Sequence, residues 1–281
     1  MNYFLSLLLT WMNVLTNAAG KFLLGWIAFV PGWLSNTIIS AVIGILLLVV
    51  FKYTSNQKAI GKAKDSIKAN MLALKLFKES IIVTFKIEAG LFKAAGLLLL
   101  YSARPMLVMI IPVALILGQL GLWYQKRPLN IGEETIVTIQ LNNNIDTALS
   151  NITLQPAAAA QTILGPVKIT SKNQLLWKIK ALKEGYHTII FNIDSKPFTK
   201  KLAIGNGFMQ TSPLRPGCHP VDMIEYPAEK PFRPDSIVES ISIDYPQRIS
   251  LTAGTNTWII YFFAASIFFA LLFKPILKVK L

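Results

Sequence analysis

Two periodicities divide this chain of 281 residues. Up to residue 124 the apolar positions run unbroken or recur at helical steps; between residues 129 and 205 they alternate with polar ones; an unbroken apolar run returns at 257. Residues 33–51, WLSNTIISAVIGILLLVVF, hold no charge over nineteen positions. As a helix that is about 28 Å, the apolar thickness of a bilayer. Residues 106–124 form a second uncharged stretch ending in Trp123 and Tyr124, and residues 257–273 a third, with Trp258 and Tyr261 near its start. Aromatic ends of this kind suit the head-group level. Residues 1–32 are apolar but broken by Asn13, Asn17, Lys21 and Pro31, which predicts one or two interfacial helices; a span over residues 4–30 is the alternative.

Between the first two stretches the pattern is amphipathic. Ser55 can cap a helix, and Ile60, Ala63, Ile67, Met71 and Leu74 then share one face. Lys58, Lys62, Lys64, Lys68, Lys75 and Lys78 occupy its flanks and other face. These six lysines and Met71 are the candidate contacts to a membrane surface or a partner. A basic amphipathic helix lies on an anionic leaflet or packs on a neighbouring helix; the other reading is a docking arm for a ribosome or nascent chain. Residues 81–103 stay helical, with sparse charges at Lys86, Glu88 and Lys93, so the cytoplasmic helices cover 55–103. Arg104 and Pro105 predict a turn.

The alternating part contains six short runs, at 134–141, 152–155, 161–170, 175–181, 187–194 and 198–204, divided by Asn, Gly, Pro and Lys. Their spacing predicts a β-sandwich over residues 129–205, with Trp177 and Phe191 in its core. Residues 206–256 hold Pro213, Pro216, Pro220, Pro227, Pro231, Pro234 and Pro246. So much proline disfavours helix and central strand alike, predicting an extended, ordered excursion that adds at most one strand near 237–243.

Charge gives these elements an orientation. The net charge is +14, with 53% hydrophobic and 15% charged residues. Residues 52–104 carry ten Lys or Arg against three acids, residues 257–281 three against none, and residues 125–256 fourteen against eleven. Positive charge beside apolar stretches marks cytoplasmic ends. The C-terminal tail 274–281 is therefore expected in the cytoplasm and the β-region outside. Anionic lipid head groups answer this charge pattern better than nucleic acid, which is not expected as a partner.

Candidate chemistry is sparse. Cys218 is the sole cysteine, so no internal disulfide is possible. Cys218, His219 and Asp222 offer thiolate, imidazole and carboxylate together, but the second ligand pair of a structural zinc site is missing nearby. No phosphate loop, nucleophile elbow or HExxH motif occurs. No catalytic residue, metal or cofactor is expected, and no enzyme. Asn36 and Gln119 are the candidate intramembrane polar residues, Gln119 fitting an interhelical hydrogen bond or, alternatively, a groove.

Three resemblances add to this. The run ALKEGYHTIIFNI resembles bacterial immunoglobulin-like modules, which implies a β-sandwich that binds or spaces rather than catalyses. The span order over 33–124 and 257–273, with a helical pair at 58–78 and 81–103, is similar to the core of the YidC-type membrane-protein insertases. That resemblance is topological and carries no residue role across; where those insertases often place a basic residue, this first span offers Ser35, Asn36, Thr37 and Ser40. The runs FKYTSNQKAI and IKANMLALKLFKES resemble a family of bacterial inner-membrane proteins, implying that membrane and no activity.

The expectation is an α+β integral membrane protein of the bacterial inner membrane: a three-helix transmembrane core, cytoplasmic amphipathic helices and an extracytoplasmic immunoglobulin-like β-sandwich. Its expected role is a scaffold or complex subunit that binds other membrane or envelope proteins through the β-region. The alternative is a YidC-like insertase or assembly factor.

Overall fold

The run after Pro31 folds as helix α1, Gly32–Thr54, because it holds no proline and its one interior glycine, Gly44, lies at a helix crossing. Helix α2, Gln57–Leu76, follows at once. Its cap is Asn56 rather than Ser55: the Asn56 side chain accepts from Ala59 N at 3.1 Å. The computed structural model describes residues 11–12, 16–17, 20, 24–77, 80–142, 152–155, 158–193, 196–254 and 257–279. Most of the predicted interfacial helices at 1–32 lie outside these, as does Lys78.

Helix α3, Ile81–Tyr124, corrects the sequence reading. The turn expected at Arg104–Pro105 does not form, and the helix runs on through Pro105 and Pro112 for 44 residues, about 66 Å. An interior proline costs about 3 kcal/mol; helix propagating from both sides, without a glycine or cap at the spot, outweighs it. The C-terminal helix likewise passes Pro275, ending at Leu277 rather than at 273. Among the described residues three helices, α1, α3 and Thr257–Leu277, are long and apolar enough to cross a membrane.

The chain divides into two compact units. One comprises residues 37–113 and 262–281 and is helical. Here α1 meets the C-terminal helix at Gly44, where a Cβ would lie 2.3 Å from the Ser266 carbonyl oxygen. Only glycine permits that approach. Leu48, Phe51, Ile60 and Val279 form a buried cluster with Leu98, Tyr101 and Phe273 against it.

The other unit comprises residues 1–36 and 114–261 and holds the strands. They are β1 (Glu134–Leu141), β2 (Ile152–Leu154), β3 (Ala160–Ile169), β4 (Gln174–Ala181), β5 (Gly185–Ile193), β6 (Lys196–Ile204), β7 (Leu214–Arg215) and β8 (Val238–Ile243), with a short helix α4, Pro220–Glu225, before β8 and α5, Thr257–Leu277, after it. The six alternating runs thus coincide with β1 to β6. Antiparallel pairing gives a five-stranded sheet ordered β3-β4-β1-β8-β7 and a three-stranded sheet ordered β2-β5-β6. Side chains from both sheets fill one core, in which Trp177 of β4 meets Phe191 of β5 at 5.1 Å between ring centroids. Gly165 has φ +128° and a Cβ there would lie 2.8 Å from the Trp177 ring, so the irregular crossing of β3 over that ring requires glycine.

The proline-rich segment is not a separate excursion. It supplies β7 and β8, and β8 lies inside the larger sheet between β1 and β7. Proline breaks strands only where it stands, and the stretch 235–245 is free of it.

Candidate functional site

In the helical unit, α2 and the first part of α3 form an antiparallel pair. Ile60 shares a buried cluster with Leu98 and Tyr101, and Asn70 lies against Gly90, so later positions of α2 face earlier positions of α3. Lys58, Lys62, Lys68 and Lys75 are exposed, and Lys64 is half-buried. Burial, then the charges of Lys274 and Lys68, hold the Lys64 ammonium below the usual lysine range. Met71, Leu72, Leu76, Phe77, Ile81, Ile82 and Phe85 are all more than half exposed at the far end of the pair. The structure therefore brings Lys58, Lys62, Lys64, Lys68, Lys75 and Met71 onto one hairpin, basic along its described length and apolar at its end.

The polar residues of the long helices are engaged. Asn36 Nδ2 donates to Thr252 O at 2.7 Å. Gln119 Nε2 donates to Asn17 Oδ1 at 2.6 Å, and Asn17 Nδ2 donates to Pro227 O. Tyr124 OH donates to Ser35 Oγ at 2.9 Å.

In the β unit, sequence reasoning passed over the most buried charge. Lys200 on β6 and Glu229 are 0% and 6% exposed at the side chain and pair at 2.6 Å. Lys200 Nζ spends its three donors on Glu229 Oε1, Ser212 O at 2.6 Å and Ser212 Oγ at 2.9 Å, while Ser212 Oγ donates to Glu229 Oε1 at 2.5 Å. Burial lowers the Lys200 pKa to about 8, and the Glu229 charge opposes that shift. A signal existed: in KPFTKKLAI the alternation puts Phe198, Lys200 and Leu202 on one face, so a lysine pointed inward. Glu229 lies in irregular chain and gave none.

Glu229 also closes the outer side of β6, the edge of its sheet. Thr199 O accepts from Arg215 Nη1 at 2.6 Å, Lys201 N donates to Glu229 Oε2 at 3.1 Å, and Ala203 N donates to Tyr245 OH at 2.9 Å. Leu129 completes the row, its N–H donating to Ala203 O and its carbonyl accepting from Gly205 N.

Beside this edge lies a groove of about 450 Å³. Its rim carries Lys196, Arg215, Lys230 and Arg233 against one acid, Asp235, and its floor is Phe198 and Phe232. The Arg215 guanidinium lies 4.1 Å from the Phe232 ring centroid, and burial lowers its pKa while Glu229 opposes. The site favours an anionic, partly apolar ligand.

Cys218, His219 and Asp222 do not converge. Cys218 Sγ donates to Phe232 O at 3.0 Å, and burial followed by the Asp235 charge raises its pKa, while exposed His219 lies 3.5 Å from Glu239. Among the described residues no three His, Cys, Asp or Glu side chains gather as a metal site.

Comparison of the chain with protein families, with curated proteins and with solved structures returns no match.

Proposed function

We propose that this is a non-enzymatic protein of the bacterial inner membrane, a scaffold or complex subunit, whose β-region binds an envelope protein. The observation that carries the reading is the basic groove floored by Phe198 and Phe232, a surface of binding rather than of bond-making chemistry. Two sheets on one core support an immunoglobulin-like sandwich. Three long apolar helices support a multi-pass anchor, and the lysine excess of residues 52–104 and 274–281 supports a cytoplasmic hairpin and C-terminus with the β-region outside.

A second reading, an insertase-like membrane-protein assembly factor, is favoured by the hairpin itself. If α3 leaves the bilayer near Arg104, its first 24 residues reach about 36 Å beyond. That carries Met71 and Phe77 clear of the leaflet, where a hydrophobic client would cover them. The engaged state of Asn36, Ser35 and Gln119 argues against a polar groove along α1 and so for the scaffold.

In-cell crosslinking from a photoreactive residue at Arg233 in the groove, and separately at Met71, decides between the two. One envelope protein captured from Arg233, with Met71 reaching only its own chain, is the expected result. Nascent membrane proteins captured from Met71, with nothing from Arg233, would overturn the scaffold.

A further inference from the structure

Within the β unit, where α3 ends and α5 begins, lies one aromatic cluster. Tyr124 stacks on Trp258 with ring centroids 6.1 Å apart and meets the Phe208 ring edge-on at 5.4 Å. The Arg248 guanidinium lies 4.1 Å from the Phe208 ring centroid. Its backbone N donates to Gln125 O, which ties this arginine to the chain leaving α3.

Three buried donors in this cluster meet no acceptor among the described residues: Nε and Nη2 of Arg248, and Nε1 of Trp258. Trp258 is only 3% exposed. Burial, then the charge of Arg127, lowers the Arg248 pKa to about 10, with only the Tyr124 phenol acting the other way. Among the described residues no carboxylate offsets that shift. A buried guanidinium without an acceptor is costly, and the group that suits its planar fork is a phosphate or carboxylate.

Position selects between those two. Tyr124 and Trp258 stand at the ends of helices that read as membrane spans, and aromatic rings at such ends mark the depth of lipid phosphates. Arg248 as a whole is partly exposed while its Nε and Nη2 are buried, so a head group must displace the side chains that cover those two donors.

We propose that Arg248, with the Trp258 indole N–H of the same aromatic cluster, is the receptor for the phosphate of an anionic phospholipid in the leaflet next to the β-region. One phosphodiester charge answers one guanidinium. The site rests on the membrane reading of those helices, and is separate from the basic groove and the cytoplasmic lysines.

The test uses the full chain in mild detergent and native mass spectrometry, with three probes: phosphatidylglycerol, diacylglycerol, which lacks the phosphate, and inorganic phosphate. Wild type should retain one phosphatidylglycerol and no diacylglycerol, and Arg248→Gln should lose about tenfold in that retention. Trp258→Phe should lose less, and Lys172→Gln, on the exposed turn between β3 and β4, nothing. Equal retention by wild type and by an Arg248→Gln variant with unchanged circular dichroism would overturn the proposal. Retention of inorganic phosphate through Arg248 without any lipid would overturn the lipid source and assign a soluble anion. Alkaline carbonate extraction of wild-type membranes runs alongside: release of the protein would mean that the membrane reading itself had failed, whatever Arg248 binds.

Discussion

Trp177 and Phe191 are no more than 1% exposed at the centre of the β unit, whereas Leu99, Leu107 and Phe268, just as apolar, are more than 60% exposed along α3 and α5. The contrast extends to polar groups. The β unit buries an ion pair whose donors are all used, while none of the described lysines of the helical unit is fully buried. Each region obeys the rule that apolar groups leave water, but the β unit does so by its own folding and the helices do not. That difference is what makes a bilayer the proposed solvent of the helices and water that of the strands.

The largest loss of stability is expected at the buried pair. Lys200→Met leaves the Glu229 carboxylate without its partner and is expected to cost about 3–5 kcal/mol. Lys200→Met with Glu229→Gln should recover most of it, as read by thermal unfolding in detergent with the strand signal followed by circular dichroism. Should the single variant unfold like wild type, the pair is not what holds this edge of the β unit.

Next comes a matched pair of surface changes. Leu46 in α1 and Leu164 in β3 are 52% and 59% exposed. With lysine at Leu46, membrane insertion should cost about 2.5–3.5 kcal/mol, measured by a glycosylation reporter. Leu164→Lys should change stability by less than about 0.5 kcal/mol. Equal effects would mean that both surfaces meet the same solvent.

A pH titration sharpens the comparison further. Because Lys200 is held at about 8 in the fold against 10.5 for a free lysine, the unfolded chain binds the extra proton between those values. Stability should therefore rise with pH through that window, and the rise should vanish in the double variant. The smallest effect is expected at Arg127 and Glu133, a bidentate pair with both bonds 2.8 Å, about a third exposed. Hydrogen bonding from Arg127 lowers the Glu133 pKa. Glu133→Gln should cost no more than about 1 kcal/mol at neutral pH, a difference that fades as acid protonates the wild-type carboxylate.

Much of this architecture was legible in the chain because periodicity is local. The charge-free runs became α1, the second half of α3 and α5, and six alternating runs became strands. What was illegible depended on distant partners. The proline count hid β8, whose alternation is also broken by a register shift opposite Gln140 and Leu141. Lys200 was readable as inward-facing, but the carboxylate that meets it comes from 29 residues away in irregular chain. The Arg248 cluster joins residues from four separate segments, and no spacing announces it.

The side-chain cover over β6 also bears on how the molecule may be dissected. An edge strand with bare N–H and C=O groups is a template on which other chains add strands. Arg215, Glu229 and Tyr245, which mask those groups, all come from beyond residue 206. A fragment ending at the last strand of the three-stranded sheet would therefore not be a smaller soluble domain but an aggregation seed, its exposed edge recruiting further copies of itself.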